Sequence, residues 1–244
     1  MKKLLLIISS GFSLILFPSL ALAAPAWVRS YSHYDYPVTS TQFTVPNVGS
    51  GNLLVVAIRL STGGATTVTS PGASWTKDVH VTQSSLGWTF DVWSAPNVPG
   101  GNTTITVSIT GGGTSVRIVA NEYSGIAANS PAHKTSGASG TSGSVNAGSV
   151  TTTINNCTLF AAAATDSDLL GWKAGSNYTI RNQCTNGEPG QKLCTEDRGP
   201  VAAGTYSDSF TINSDSWAAI LVAYAPASGS DTTPPAPPTG LKVN

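Results

Sequence analysis

From Trp27 to Tyr224 the chain is broken every few residues by Gly, Pro, Asn or Ser, and no stretch combines helical periodicity with helix caps. Turn residues at such short intervals leave extended segments as the regular structure available. Candidate strands are Trp27–Ser32, Thr39–Val45, Asn52–Leu60, Thr66–Ser70, Ser74–Val79, Trp88–Ala95, Thr103–Thr110 and Ser115–Tyr123. They continue with Ser144–Thr153, Thr158–Ala164, Asn177–Asn182, Lys192–Glu196, Thr205–Ile212 and Trp217–Tyr224. The fold class expected is all-β: an antiparallel two-sheet β-sandwich, jelly-roll-like.

Alternation assigns the faces. Ile105, Val107 and Ile109 point one way and the intervening Thr and Ser the other, which marks a half-buried strand. Val116, Ile118 and Ala120 share a face, with Arg117, Val119 and Asn121 opposite. Trp88, Phe90 and Val92 fall together, and Asp91 and Trp93 opposite them. Leu53–Ile58, Leu159–Ala164 and Trp217–Tyr224 are apolar at both parities, so they should be central strands covered on both sides. Lys134–Val145 is Ser, Gly, Thr and Ala with nothing to anchor a register, and is expected to be a long loop.

The N-terminus reads as an export signal over residues 1–23. Lys2 and Lys3 precede the apolar stretch Leu4–Leu16, Pro18 breaks it, and Ala21-Leu22-Ala23 is a cleavage site. No later run is apolar and long enough to span a bilayer. An oxidising destination makes disulfides plausible. Cys184 and Cys194 flank a polar turn from Thr185 to Gln191, so they are expected to pair, leaving Cys157 as a small buried residue. Basic and acidic residues balance at twelve each and only 10% of the chain is charged, which gives no basic stripe for nucleic acid.

Residues 24–226 form the sandwich domain, and 227–244 change character. Ala227 to Thr233 is a polar linker, followed by Pro234-Pro235-Ala236-Pro237-Pro238-Thr239-Gly240-Leu241-Lys242-Val243. A proline-rich segment is a stiff spacer. This one resembles the opening of a fibronectin type III domain. Within the main domain, Asn52-Leu53-Leu54-Val55-Val56-Ala57, Ala95 to Asn102 leading into Thr103–Val107, and Asn121-Glu122-Tyr123-Ser124-Gly125 resemble an uncharacterised group of bacterial secreted β-sandwich modules. The resemblance implies architecture and an extracellular place, and carries no chemistry.

Enzyme motifs are missing from the sequence: no G-x-S-x-G, no H-E-x-x-H, no P-loop. His33, His80 and His133 lie in polar surroundings near strand ends or loops. Glu122 shares parity with Val116 and Ile118, and as an inward carboxylate it needs a cation, with Arg59 or Arg117 as candidates. Asp166 and Asp168 alternate after a buried strand, a pattern that would contribute two ligands to a structural calcium site or form a solvated turn. Ligand-binding candidates are aromatic. Trp172, with Tyr178 close by, lies in a loop after a central strand, and Trp93 faces away from the main core. Tyr31, Tyr34 and Tyr36 would form a second aromatic surface or simply pack in strand pairing. The reading is a secreted, non-catalytic structural or adhesive module with polysaccharide or cell-surface partners. A carbohydrate-binding module and an extracellular hydrolase are the alternatives.

Overall fold

The structure is a computed structural model, and it describes residues 23–168, 171–182, 184 and 192–228. The export signal, apart from Ala23, and the Pro-rich segment from 229 onward lie outside these residues. Among the described residues no helix is long and apolar enough to cross a membrane.

The chain forms β1 (Ala26–Val38), β2 (Ser40–Val48), β3 (Leu53–Leu60), β4 (Thr66–Thr69), β5 (Thr76–Thr82), β6 (Thr89–Ala95), β7 (Gly101–Ile109) and β8 (Thr114–Ser124). It continues with β9 (Ala132–Val145), β10 (Ser149–Thr152), β11 (Cys157–Thr165), β12 (Thr179–Ile180), β13 (Leu193–Val201), β14 (Gly204–Ser207) and β15 (Phe210–Tyr224). All pairings are antiparallel. They make a five-stranded sheet β1-β8-β3-β6-β5, a three-stranded sheet β2-β7-β4, a five-stranded sheet β12-β13-β11-β15-β9 and a two-stranded sheet β10-β14.

The expectation of two stacked layers is therefore corrected to four. The doubly apolar runs explain why. Leu53, Val55 and Ala57 enter the core shared by the two five-stranded sheets, while Leu54, Val56 and Ile58 enter a core under β2-β7-β4. Phe160, Ala162 and Ala164 meet the shared core from the other side, and Leu159, Ala161 and Ala163 join a third core beneath β10-β14. Every residue of β3 and of β11 is buried, as strands sandwiched on both faces require.

The second half repeats the first. Read as β9-β15-β11-β13-β12, its large sheet has the order of β1-β8-β3-β6-β5, and β10-β14 corresponds to β2-β7. Register agrees with the order: Leu53 lies opposite Tyr123, and Thr158 opposite Tyr224. Two residues before Leu53 is Gly51 at φ 82°, and two before Thr158 is Asn156 at φ 63°. Both tight entries need the left-handed region, which Gly and Asn tolerate best. In place of β4 the second half keeps one bridge, Lys173 to Thr211. The halves pack through their large sheets, with polar ties across the seam. Tyr224 donates to Asp78 Oδ2 at 2.7 Å, Ser30 Oγ donates to the Arg181 carbonyl at 2.5 Å, and Gln83 Nε2 donates to the Gly140 carbonyl at 3.3 Å.

The stretch expected as a loop, Lys134–Val145, belongs to β9 and pairs with β15 from Phe210 to Ala223. The candidate Ser144–Thr153 accordingly divides between the end of β9 and the whole of β10. Small residues here serve close approach. A Cβ on Gly137 would stand 2.7 Å from Val81 Cγ2, and one on Gly140 2.7 Å from Trp217 Cζ2. Neither neighbour is a flexible chain end, so Gly137→Ala and Gly140→Ala are each expected to destabilise the protein by about 1–3 kcal/mol. Denaturant unfolding checks this, and unchanged midpoints in both variants would remove close packing as the reason for the glycines.

Candidate functional site

The paired cysteines are as expected: Cys184 and Cys194 form a disulfide, and Cys157 is buried with its thiol directed at the Ile154 carbonyl, 3.6 Å away. The aromatic candidates fare differently. Trp172 is only 3% exposed and meets Phe210 edge-on at 5.7 Å, and Tyr178 is 8% exposed in the same core. A loop position led to the expectation of an open ring face, but this loop folds under the second large sheet and fills the space that β4 fills in the first half. Trp172→Ala is therefore expected to cost about 3–5 kcal/mol of stability, readable by thermal or chemical unfolding. A fully stable variant would contradict its place in the core.

Trp93 is half-buried at the edge where the first large sheet extends past β4. Its indole N–H donates to Thr66 Oγ1 at 2.9 Å, and Lys77 Nζ lies 5.0 Å from its ring centre. Beside it the buried Asp91 carboxylate accepts from Thr66 at 2.5 Å and Lys77 at 3.0 Å and meets His80 Nδ1 at 2.6 Å. His80 Nε2 lies 3.2 Å from Thr82 Oγ1. A β-bulge between Lys77 and Val79 puts Lys77 and His80 on this side and turns Asp78 to the seam. There Asp78 sits at the base of an open groove of about 490 Å³, accepting from Tyr224 and from Ser94. Burial pushes the Asp78 acid upward, and the two hydroxyl donors oppose that.

Asp166 and Asp168, the calcium candidates, reach guanidinium groups of the first half. Arg59 Nη2 lies 3.4 Å from Asp166 Oδ1, and Arg117 Nη2 lies 3.8 Å from Asp168 Oδ1. Among the described residues no three His, Cys, Asp or Glu side chains gather as metal ligands. The Asp166-Ser167-Asp168 turn is thus a clasp between the halves. Arg59 is 1% exposed, lies over the Trp88 ring at 4.7 Å, and is lowered to about 10 by that burial. Glu122 is buried as expected but pairs with Arg29, at 2.9 Å, and also accepts from Gly49 N and Asn52 Nδ2. The expected partners Arg59 and Arg117 are spent on the clasp.

An exposed aromatic surface does exist, on β1. Its first residues are covered by the second half: Arg181 stands 4.7 Å from the Trp27 ring centre. The facing strand β12 has only two residues, so the far end of β1 runs out uncovered. Tyr34 and Tyr36, which alternation places on one side, are 52% and 65% exposed there. The Arg117 guanidinium lies 3.9 Å from the Tyr34 ring centre, so one ring face rests on a cation and the other is open. Tyr31 turns to the opposite side and stacks on Phe43 at 6.1 Å. The tyrosines were legible in the sequence. Arg117 beneath them was not, since only the pairing of Tyr34 with Arg117 brings them together.

Two acids missed in the sequence lie in the second core. Glu196 accepts from Gly175 N at 2.8 Å and Asp208 from Ala147 N at 3.0 Å, both fully buried. Burial, reinforced by Asp208 and Asp197, pushes Glu196 up to about 8 against the Gly175 hydrogen bond, and burial pushes Asp208 up to about 7. Unfolded, both acids ionise near their ordinary values of 4.5 and 3.8. The unfolded chain thus releases protons that the fold retains. The stability associated with the protonated pair is whole at acidic pH and is lost as pH rises toward about 8. In chelator-treated buffer the melting temperature is expected to fall over that range and then level off. A flat or rising profile in the wild type would exclude this behaviour, and Glu196→Gln should flatten it.

No protein-family model matches the chain, and no match was found among curated proteins or among solved structures.

Proposed function

We propose that this chain is a secreted, non-catalytic β-sandwich module of an extracellular or cell-surface assembly, with an adhesive role. In this reading residues 1–23 are removed on export and 227–244 lead toward a fibronectin-like module. Each half is read as jelly-roll-like, supported by the order β1-β8-β3-β6 facing β2-β7-β4 and its counterpart β9-β15-β11-β13 with β10-β14. The Cys184–Cys194 disulfide is compatible with an oxidising destination.

The observation that carries the adhesive reading is polarity. Ala23 and Ala24 lie against Gly125, and Ala227 N donates to the Gly125 carbonyl at 2.8 Å, so both ends of the described body sit at one pole. β1 runs from that pole to the Tyr34–Tyr36 surface, roughly 30 Å away at about 3.3 Å per residue. A body tethered at one end would present an aromatic surface at the other.

That surface favours a glycan as the ligand. A flat ring backed by a guanidinium stacks on the apolar face of a pyranose, and Arg117 and Asp168 flank it with planar hydrogen-bonding groups. Immobilised-polysaccharide retention and a glycan array test it. The mature chain is expected to retain at least one polysaccharide, and Tyr34→Ala with Tyr36→Ala is expected to weaken retention about tenfold or more, about 1.4 kcal/mol, with unchanged melting. Retention unaffected by these substitutions would dismiss the surface, and no retention of any glycan would leave a structural module alone.

A further inference from the structure

Among the described residues, the second core holds three oxygens that no hydrogen bond reaches: Glu196 Oε1, Asp208 Oδ2 and the Tyr178 hydroxyl. Glu196 and Asp208 are 0% exposed and Tyr178 is 8% exposed. Buried carboxylates are ordinarily matched by cations, donors or metal ions, because an isolated charge out of water is costly. The backbone fixes one oxygen of each acid, through Gly175 N and Ala147 N, and leaves the other free. The Tyr178 phenol feels both acids, Asp208 and Glu196.

Among the described residues no Lys, Arg or His side chain forms an ion pair with Glu196 or Asp208. Asp197, next to Glu196 on β13, points to the opposite face and is engaged by Arg181 at 2.8 Å. Arg198, which also acts on Tyr178, has its guanidinium 5.1 Å from the Tyr206 ring centre. The Tyr206 hydroxyl donates to the Ala202 carbonyl at 2.8 Å. A Cβ on Gly175 would stand 3.1 Å from Glu196 Oε1 and 3.1 and 3.3 Å from Ser209 N and O, so the missing side chain lets the Glu196 carboxylate and the Ser209 backbone close on the same point.

The corresponding place in the first half makes the deficit plain. Val56 lies opposite Trp93 as Ala161 lies opposite Glu196, so Trp93 and Glu196 occupy equivalent positions. The carboxylate on that face of β6, Asp91, is met by Lys77, His80 and Thr66. Glu196 has a single N–H.

We infer that a hard cation, calcium by the all-oxygen donor set, is held in the second half by Glu196, Asp208 and Tyr178. Two carboxylates match its charge, and the Ser209 carbonyl and water would complete a shell that calcium fills with six to eight oxygens. Its role is structural, tying β13, the β14–β15 link and the segment before β12 into one unit. It is independent of the adhesive reading.

The test uses the mature chain stripped with EDTA and titrated with calcium chloride. Calorimetry should show one saturable site, and melting should shift upward by several degrees. Glu196→Gln and Asp208→Asn should each weaken binding at least tenfold. Terbium luminescence excited through the aromatic residues gives a second readout that does not depend on the stability of those variants, and Tyr178→Phe should reduce it in a folded protein. Absence of heat, melting shift and sensitised terbium emission in the folded wild type would overturn the proposal. So would binding that survives Glu196→Gln and Asp208→Asn together, or that is lost with Asp166→Asn and Asp168→Asn, which would assign the ion to the exposed turn.

Discussion

The packing of two five-stranded sheets against each other sets the terms for the rest of the molecule. A sheet ordinarily keeps one face for water, but here each large sheet is buried on both, against its counterpart and against a small outer sheet. This is why β3, β11 and the latter part of β15 are buried at every position. It is also why polar residues on the seam are so few and so specific. Tyr224 is matched to Asp78, Asn121 Nδ2 lies 3.4 Å from Thr195 Oγ1, and Tyr123 stands beside Asp197, where burial and that carboxylate raise its phenol. Tyr123 and Tyr224 hold equivalent places at the ends of β8 and β15, and each reaches into the other half. The seam is thus polar at matched points and apolar between them, which favours one register over its neighbours.

Burial on both faces removes the broad sheet surfaces from function and leaves edges and poles. The sheets differ in width, and each mismatch creates an exposed step. β4 ends before β5, uncovering the Trp93–Asp91–His80 edge, and β12 ends before β1 does, uncovering Tyr34 and Tyr36. At the first step every acceptor of Asp91 is engaged internally, so the edge reads as a satisfied network. At the second, aromatic faces are left open. Differential exposure, more than residue type, separates the two.

Strand positions, face assignments and the disulfide were readable because each depends on local pattern: alternation, turn residues, and two cysteines flanking a turn. The layer count was not, because a doubly apolar strand says that both faces are covered without saying by what. β9 was misjudged because composition rules treat Gly and Ser as loop residues, whereas here they clear room for Val79, Val81 and Trp217. Trp172 was misjudged for the converse reason: a loop can be core when it replaces a strand. The duplication left only faint marks, a Gly or Asn at the same turn and a Tyr at the same strand end, since packing conserves volume and face while leaving identity free. Glu196 and Asp208 gave no signal, since one lies in β13 and the other in the β14–β15 link and their surroundings come from distant parts of the chain.

Comparing the halves position by position separates what the fold demands from what it permits. Ile58 faces Asp91 and Ala163 faces Cys194, so a carboxylate in one half stands where a disulfide sulfur stands in the other. Trp93 and Glu196 form a second such pair, on the same face. Equivalent sites with unlike chemistry cannot be serving the shared architecture, which is indifferent to the exchange. They lie where the outer sheet is narrowest, so side chains there are constrained by neighbours from loops and not by strand pairing. In the first half those neighbours bring Lys77 and His80 to the carboxylate. In the second the long connection from β11 to β13 brings Trp172 and Tyr178, apolar bulk and one phenol, and the charge on Glu196 and Asp208 must be answered by a proton or an ion.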